Sequence, residues 1–216
     1  GRRSGRTRCG VLAFRRSSGL TSCVSNPRGP PVAFVSQLWL PIVLSGVIVF
    51  FVSAAFWMIA PHHQMEWKKL PSEVGVLAAL RAHPASPGLY SIPGMNSPSD
   101  HKDPAWRAEL DRGPAAYVTL RPGGMPAMGG QMMKSLVSNI IISFFCAYVA
   151  SHALQPSAHY LEVFRIIGTL GFMSYAFASI PDSVWFGKPW SSFYKQCFDA
   201  LVYGCLMGGV FGWLWT

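Results

Sequence analysis

LWLPIVLSGVIVFFVSAAFWMIA, residues Leu38 to Ala60, contains no charged side chain. At about 1.5 Å per residue a helix of this length reaches roughly 34 Å, beyond a hydrocarbon core of about 30 Å. It predicts a membrane span, with Pro41 in the first turn, where a missing N–H costs least. Three later stretches have the same character. Ser135 to Leu154 is led in by Lys134. Leu161 to Ile180 carries Glu162 and Arg165 in its first turns and nothing charged afterwards, and Gln196 to Trp215 carries only Asp199. One such helix fits a soluble core, but four in 216 residues leave too little polar surface to cover them. The predicted fold class is an all-α membrane protein: four transmembrane helices with a small extramembrane α/β cap between helices 1 and 2.

Tryptophans cluster at the predicted span ends. Trp39 opens the first, Trp57 and Trp67 flank its exit, Trp185 and Trp190 sit before the fourth, and Trp213 and Trp215 close it. The indole ring, flat and apolar with one N–H, favours the headgroup layer.

The net charge of +9 is concentrated in residues 1–34, where Arg2, Arg3, Arg6, Arg8, Arg15, Arg16 and Arg28 are accompanied by no acid. The rest of the chain is close to balanced, and no nucleic-acid-binding motif accompanies the charge, so nucleic acid is not expected as a partner. This basic tail lacks periodicity and an initiator Met; it reads as disordered or upstream-translated sequence, with a natural start near Val35. A short basic arm for anionic lipid is the functional rival. The expected division is the tail (1–34), helix 1 (35–60), the cap segment (61–133) and helices 2–4 (134–216).

Within the cap segment, Ser72 can cap a helix through Val76, Leu77 and Leu80 to about His83, stopped by Pro84 and Pro87. Asp103-Pro104 is an N-cap followed by Pro at the first helical position, and Gly113 is a natural terminator. Leu89–Ile92 and Ala115–Leu120 are short apolar segments expected to pair as strands. About seventy residues without disulfides are marginal alone, so this segment should lean on the bundle or bilayer.

Lys68, Lys69, Arg121, Lys134, Lys188 and Lys195 fall on the cap side, whereas Arg165 falls on the other once the tail is set aside. Positive charge stays inside, which predicts a cytoplasmic cap. In the spans, Ala200, Gly204, Gly208 and Gly212 recur every fourth residue and form a groove. Asn139, Ser143, Ala147 and Ser151 on the second span are its expected matching ridge, with Gly168, Gly171 and Ser174 as further close-approach points on the third.

Ionisable residues in spans are functional candidates by default. Glu162 and Arg165 are expected to pair near His159 and His152, and Asp199 to snorkel or pair with a lysine near the opposite surface, by Lys134, Lys195 and Asp182. His62-His63 with Glu66, and Asp100-His101 with Asp103, offer metal-ligand residue types without zinc-type spacing, and the histidines read as surface residues. Cys9 and Cys23 lie in the tail; Cys146, Cys197 and Cys205 lie in spans, with no redox motif. GMPAMGGQMMKS, residues 124–135, imitates a phosphate loop, but lacks the Lys-Ser/Thr that follows the second glycine and reads as a flexible lead-in to the second span. No catalytic, cofactor-binding or metal residue is assigned, and no cofactor is expected.

LWLPIVLS, the HH pair followed by LPSEVGVLAALR, FRIIGTLGF, SVWFGKPW and the terminal GWLWT resemble a family of small bacterial integral membrane proteins of uncharacterised function. The resemblance covers about Val35 to Thr216 and implies a bacterial inner-membrane location and no particular chemistry. The expected function is a noncatalytic membrane component or partner-stabilising subunit, associating with the lipid bilayer and with a second copy or another membrane protein. The alternative is a small transporter or channel subunit, which requires a hydrated cavity reaching Asn139, Asp199 or Arg165. A third reading is an interfacial enzyme using His62, His63 and Glu66, which requires them to converge with Asp182 or loop carboxylates.

Overall fold

The computed structural model describes residues 33–64 and 66–215. The basic tail through residue 32, with Cys9 and Cys23, lies outside them. Helix α1 runs Ala33–Met58, so Ala33 and Phe34 are already helical. A four-residue helix α2, Pro61–Gln64, follows at once. Helix α3 (Glu73–Ala82), strand β1 (Gly88–Ile92), helix α4 (Pro104–Arg112) and strand β2 (Ala116–Leu120) make up the extramembrane segment. The remaining helices are α5 (Met128–Ala153), α6 (Tyr160–Ala176), α7 (Ile180–Trp185) and α8 (Trp190–Leu214). A 3₁₀ turn, Phe177–Ser179, joins α6 to α7, and together they form the third span, Tyr160–Trp185. Among the described residues, four helices are thus long and apolar enough to cross a membrane.

The spans begin earlier than charge alone predicts. Helix α5 starts at Met128, so Gly129 and Gly130 belong to its first turn rather than to a flexible lead-in. Helix α8 starts at Trp190, which sets Asp199 about 14 Å along the helix rather than one turn in. Lys134 and Lys195 are tolerated because each lies within about two turns of a helix start, where a long side chain reaches out of the hydrocarbon.

The spans form a closed ring. Helix α1 packs on α5, α5 on α6, α6 on α8 and α8 back on α1, with the third and fourth spans in the most extensive contact. Leu38, Ile42, Val49, Ala147, Ile167 and Phe211 are among the buried side chains at the centre. Apolar side chains such as Phe51, Phe145, Leu201 and Trp213 are exposed on the outside of the bundle. That apolar outer surface is what a bilayer satisfies.

The glycine groove is occupied within the chain, and by the third span rather than the predicted second. A Cβ on Gly204 would stand 2.5 Å from the Gly168 carbonyl oxygen, and one on Gly208 would stand 2.8 Å from that of Phe164. Gly212 is filled by the Tyr160 ring. The second span instead turns its small residues toward the first. Ser143 Oγ accepts from Ser45 Oγ at 3.1 Å, and on the neighbouring face Gly46 meets the Ile140 backbone. Polar Ser143 cannot fill a groove that needs backbone-to-backbone contact as well as Gly168 and Gly171 can. Ser174, expected as a close-approach point, bonds back to the Leu170 carbonyl and also meets the Cys146 side chain of α5.

The extramembrane segment has both predicted helices and the hairpin. Strands β1 and β2 pair antiparallel, with Tyr90 opposite Val118. Asp103 accepts from the Ala105 N–H, and Gly113 adopts φ 59° at the end of α4, a left-handed value that a glycine accommodates. Trp106 Nε1 donates to the Gly94 carbonyl, fastening α4 to the hairpin. Yet α3 and α4 bury no residue. The Tyr117 ring meets that of Phe186 edge-on, linking the hairpin to the connection before α8.

Candidate functional site

The geometry of the α1 exit follows from Pro61. Helix α1 closes with the Ala60 N–H on the Ala55 carbonyl, and Pro61, lacking an N–H, starts a new short helix instead of extending the old one. The resulting bend turns His62 and His63 back over the bundle, where α8 carries the single acid of the fourth span. His62 Nε2 lies 3.0 Å from Asp199 Oδ1, and His63 Nε2 lies 2.6 Å from Asp199 Oδ2. Each Nε2 thus faces one oxygen of the same carboxylate. Asp199 is fully buried and His63 is 3% exposed, whereas His62 keeps an exposed edge.

An outer layer holds these three residues. His63 Nδ1 donates to Glu66 Oε1 at 3.0 Å, which fixes the ring with Nε2 toward Asp199. Lys195, one turn before Asp199 on α8, lies 3.7 Å from Glu66 Oε1 and donates to the His62 backbone carbonyl. Trp57 stacks flat on His63 at 4.2 Å between centroids, while Phe56 and Phe198 meet His62 edge-on. The result is a charged cluster walled by aromatic rings and the bundle. One helical turn past Asp199, on the same face of α8, the buried Tyr203 hydroxyl has no hydrogen-bond partner among the described residues.

These contacts revise several expectations. His63 is buried rather than a surface residue. Asp199 neither snorkels nor pairs with a lysine, because two imidazoles hold it, while Lys195 goes to Glu66. The histidines converge, but on Asp199 and not on Asp182, which is exposed and receives the Phe186 and Lys188 N–H groups on its backbone carbonyl. Asp100 and Asp103 are taken up by backbone capping: Asp100 accepts from the Asn96 and Ser97 N–H groups, and Asp103 caps α4. Glu162 and Arg165 form no ion pair among the described residues. Glu162 instead closes a capping box with His159 at the start of α6, and Arg165 is exposed.

Asn139, the other buried polar residue named from sequence, accepts at Oδ1 from the Tyr175 hydroxyl at 2.8 Å. Among the described residues it shares no hydrogen-bond partner with the His–Asp cluster. A signal for that cluster existed in the sequence: the first span's exit and the fourth span's start lie on the same membrane side. Their lateral adjacency did not follow from the sequence, because the order of helices around the ring is a tertiary property. Comparison with protein-family models, with curated proteins and with solved structures gave no match, so the site's own geometry carries its interpretation.

Proposed function

We propose that this four-span membrane protein is a noncatalytic membrane component that stabilises or organises a membrane-protein partner through its extramembrane segment. The observation carrying this reading is how the interactions are distributed. The spans spend their close-contact surfaces on one another, including the groove at Gly204 and Gly208, whereas the extramembrane helices α3 and α4 bury none of their residues. Val74, Leu77 and Leu80 on α3 stand exposed, and such apolar area favours a partner surface or the bilayer. The transporter reading has less support. Asn139 is bonded to Tyr175, Asp199 to two histidines, and Arg165 stands exposed near the opposite end of the bundle, so among the described residues no continuous run of hydrogen bonds joins the three, although the Tyr175 ring packs edge-on against Tyr203, one turn from Asp199.

The bias of Lys68, Lys69, Arg121, Lys134, Lys188 and Lys195 toward the extramembrane side supports a cytoplasmic placement of that segment. Single cysteines introduced at Ser157 and Ser99, in a background without native cysteines, test the orientation. A membrane-impermeant maleimide added outside intact cells should label position 157 and not position 99; the reverse pattern overturns the orientation. Reconstitution tests the function. Liposomes containing the protein should remain as tight to small ions and solutes as empty ones. Flux that Asn139→Ala or Asp199→Asn abolishes would establish the transporter reading instead.

A further inference from the structure

We propose that His62 Nε2, His63 Nε2 and the Asp199 carboxylate bind one divalent transition-metal ion, of the zinc class, where the first and fourth spans meet the extramembrane side. The three ligand atoms come from two elements and all lie within 4.8 Å of one another. Nitrogen and carboxylate ligands about 2.0–2.2 Å from a common ion would be separated by about 3.4 Å in a tetrahedral arrangement. The two nitrogen–oxygen approaches, 2.6 and 3.0 Å to different carboxylate oxygens, and the 4.8 Å limit on the three-atom set bracket that spacing, which side-chain rotation can reach.

Three further features suit an ion. Metal-bound imidazoles characteristically donate their second nitrogen to a carboxylate, and Glu66 occupies that place for His63. Lys195 in turn orients Glu66 and holds the His62 backbone. A buried carboxylate within a span needs a positive partner, and a dication that takes the place of the protons between Asp199 and the two Nε2 atoms supplies one. The exposed edge of His62 gives the ion a path from the headgroup side. Two imidazoles and one carboxylate leave a fourth position free for water or another ligand, and the unpartnered Tyr203 hydroxyl lies one turn deeper on the Asp199 face of α8. Mixed nitrogen and oxygen donors favour zinc-class ions over calcium or magnesium, which prefer all-oxygen sites. This site goes beyond the noncatalytic reading and does not depend on it.

Protein purified in mild detergent and stripped with EDTA should bind one equivalent of Co²⁺. The complex should show visible d–d bands of a low-coordinate ion without a thiolate charge-transfer band, since no cysteine belongs to the site, and Zn²⁺ should displace the Co²⁺. His63→Ala and Asp199→Asn should weaken Co²⁺ binding by more than about 100-fold, and Glu66→Gln by about tenfold. Where the buried substitutions abolish the folded helical signal, His62→Ala carries the test, because it retains the His63–Asp199 pair while removing a ligand. Its Co²⁺ affinity should fall at least about tenfold. Failure of the wild-type protein to bind Co²⁺ or Zn²⁺ at micromolar concentration, or unchanged affinity in a folded His62→Ala variant, overturns the assignment.

Discussion

The α6–α8 contact and the α2–α8 contact join the same helix to two neighbours by opposite means. Along α6, glycines let the backbones meet: the atoms nearest a Cβ built on Gly204 are the Gly168 carbonyl oxygen and the Phe172 nitrogen. At α2, a carboxylate, two imidazoles and an ammonium group are joined by hydrogen bonds inside an aromatic wall. Shape holds the first contact and charge holds the second. Lipid tails provide no hydrophobic drive for helix association, so a membrane bundle relies on close packing and polar bonds. Here the two are separated along one helix: Asp199 and Lys195 lie toward the start of α8, with Gly204 and Gly208 following in its middle.

The largest effect should come from unbalancing the charged contact. His63→Leu removes one imidazole from Asp199 and from Glu66 and should destabilise the bundle by about 3–5 kcal/mol, the range for breaking a buried pair. Reversible SDS unfolding monitored by circular dichroism would measure it. A loss below about 1 kcal/mol would mean that Asp199 finds another partner, and that the contact is less dependent on charge than its geometry implies.

Next comes the shape-driven contact. Gly204→Ala places a methyl against main-chain atoms that cannot rotate away and should cost about 1–3 kcal/mol in the same assay. Gly209→Ala is the internal control. Its nearest neighbour is the flexible Tyr160 hydroxyl at 3.8 Å, so stability should stay within about 0.5 kcal/mol. Equal effects at the two positions would show that helix propensity, rather than close approach, governs this face.

Smaller still is the neutral polar bond between α1 and α5. A double-mutant cycle of Ser45→Ala and Ser143→Ala should return a coupling of about 0.6 kcal/mol, the average for hydrogen bonds between membrane helices. Arg165→Gln marks the lower end. With no ion pair to lose among the described residues and an exposed position, it should change stability by less than about 0.5 kcal/mol. A larger change would revive the predicted pairing with Glu162.

Much of the fold was legible because its signals are local. Uninterrupted apolar length marked the spans, Asp103-Pro104 and Gly113 bounded α4, and apolar segments between Pro and Gly marked the two strands. The 3₁₀ helix at Pro98–Lys102 was not evident, although Ser97 and Asp100 form a capping box there, because a helix of fewer than two turns leaves no apolar period to detect. The early starts of α5 and α8 were missed for a related reason: Lys134, Lys195 and the Gly129-Gly130 pair interrupt hydropathy without breaking a helix that packing supports.

The candidate site was legible as residues and not as a site. His62, His63, Glu66 and Asp199 each stood out as polar groups next to or inside an apolar run, yet 136 positions separate His63 from Asp199. Their meeting depends on which helix lies beside which. Two spans offered small residues to the glycine groove of α8, and composition could not choose between them. The amino-acid sequence by itself determined the number of spans, their alternating direction and the hairpin segment between the first two, because hydrophobic length and turn chemistry act over a few residues. Only the tertiary structure decided that α6 fills the groove and that α1 closes the ring beside α8. Those outcomes depend on backbone fit and on burying one carboxylate with its partners, quantities that exist only when distant segments are in contact.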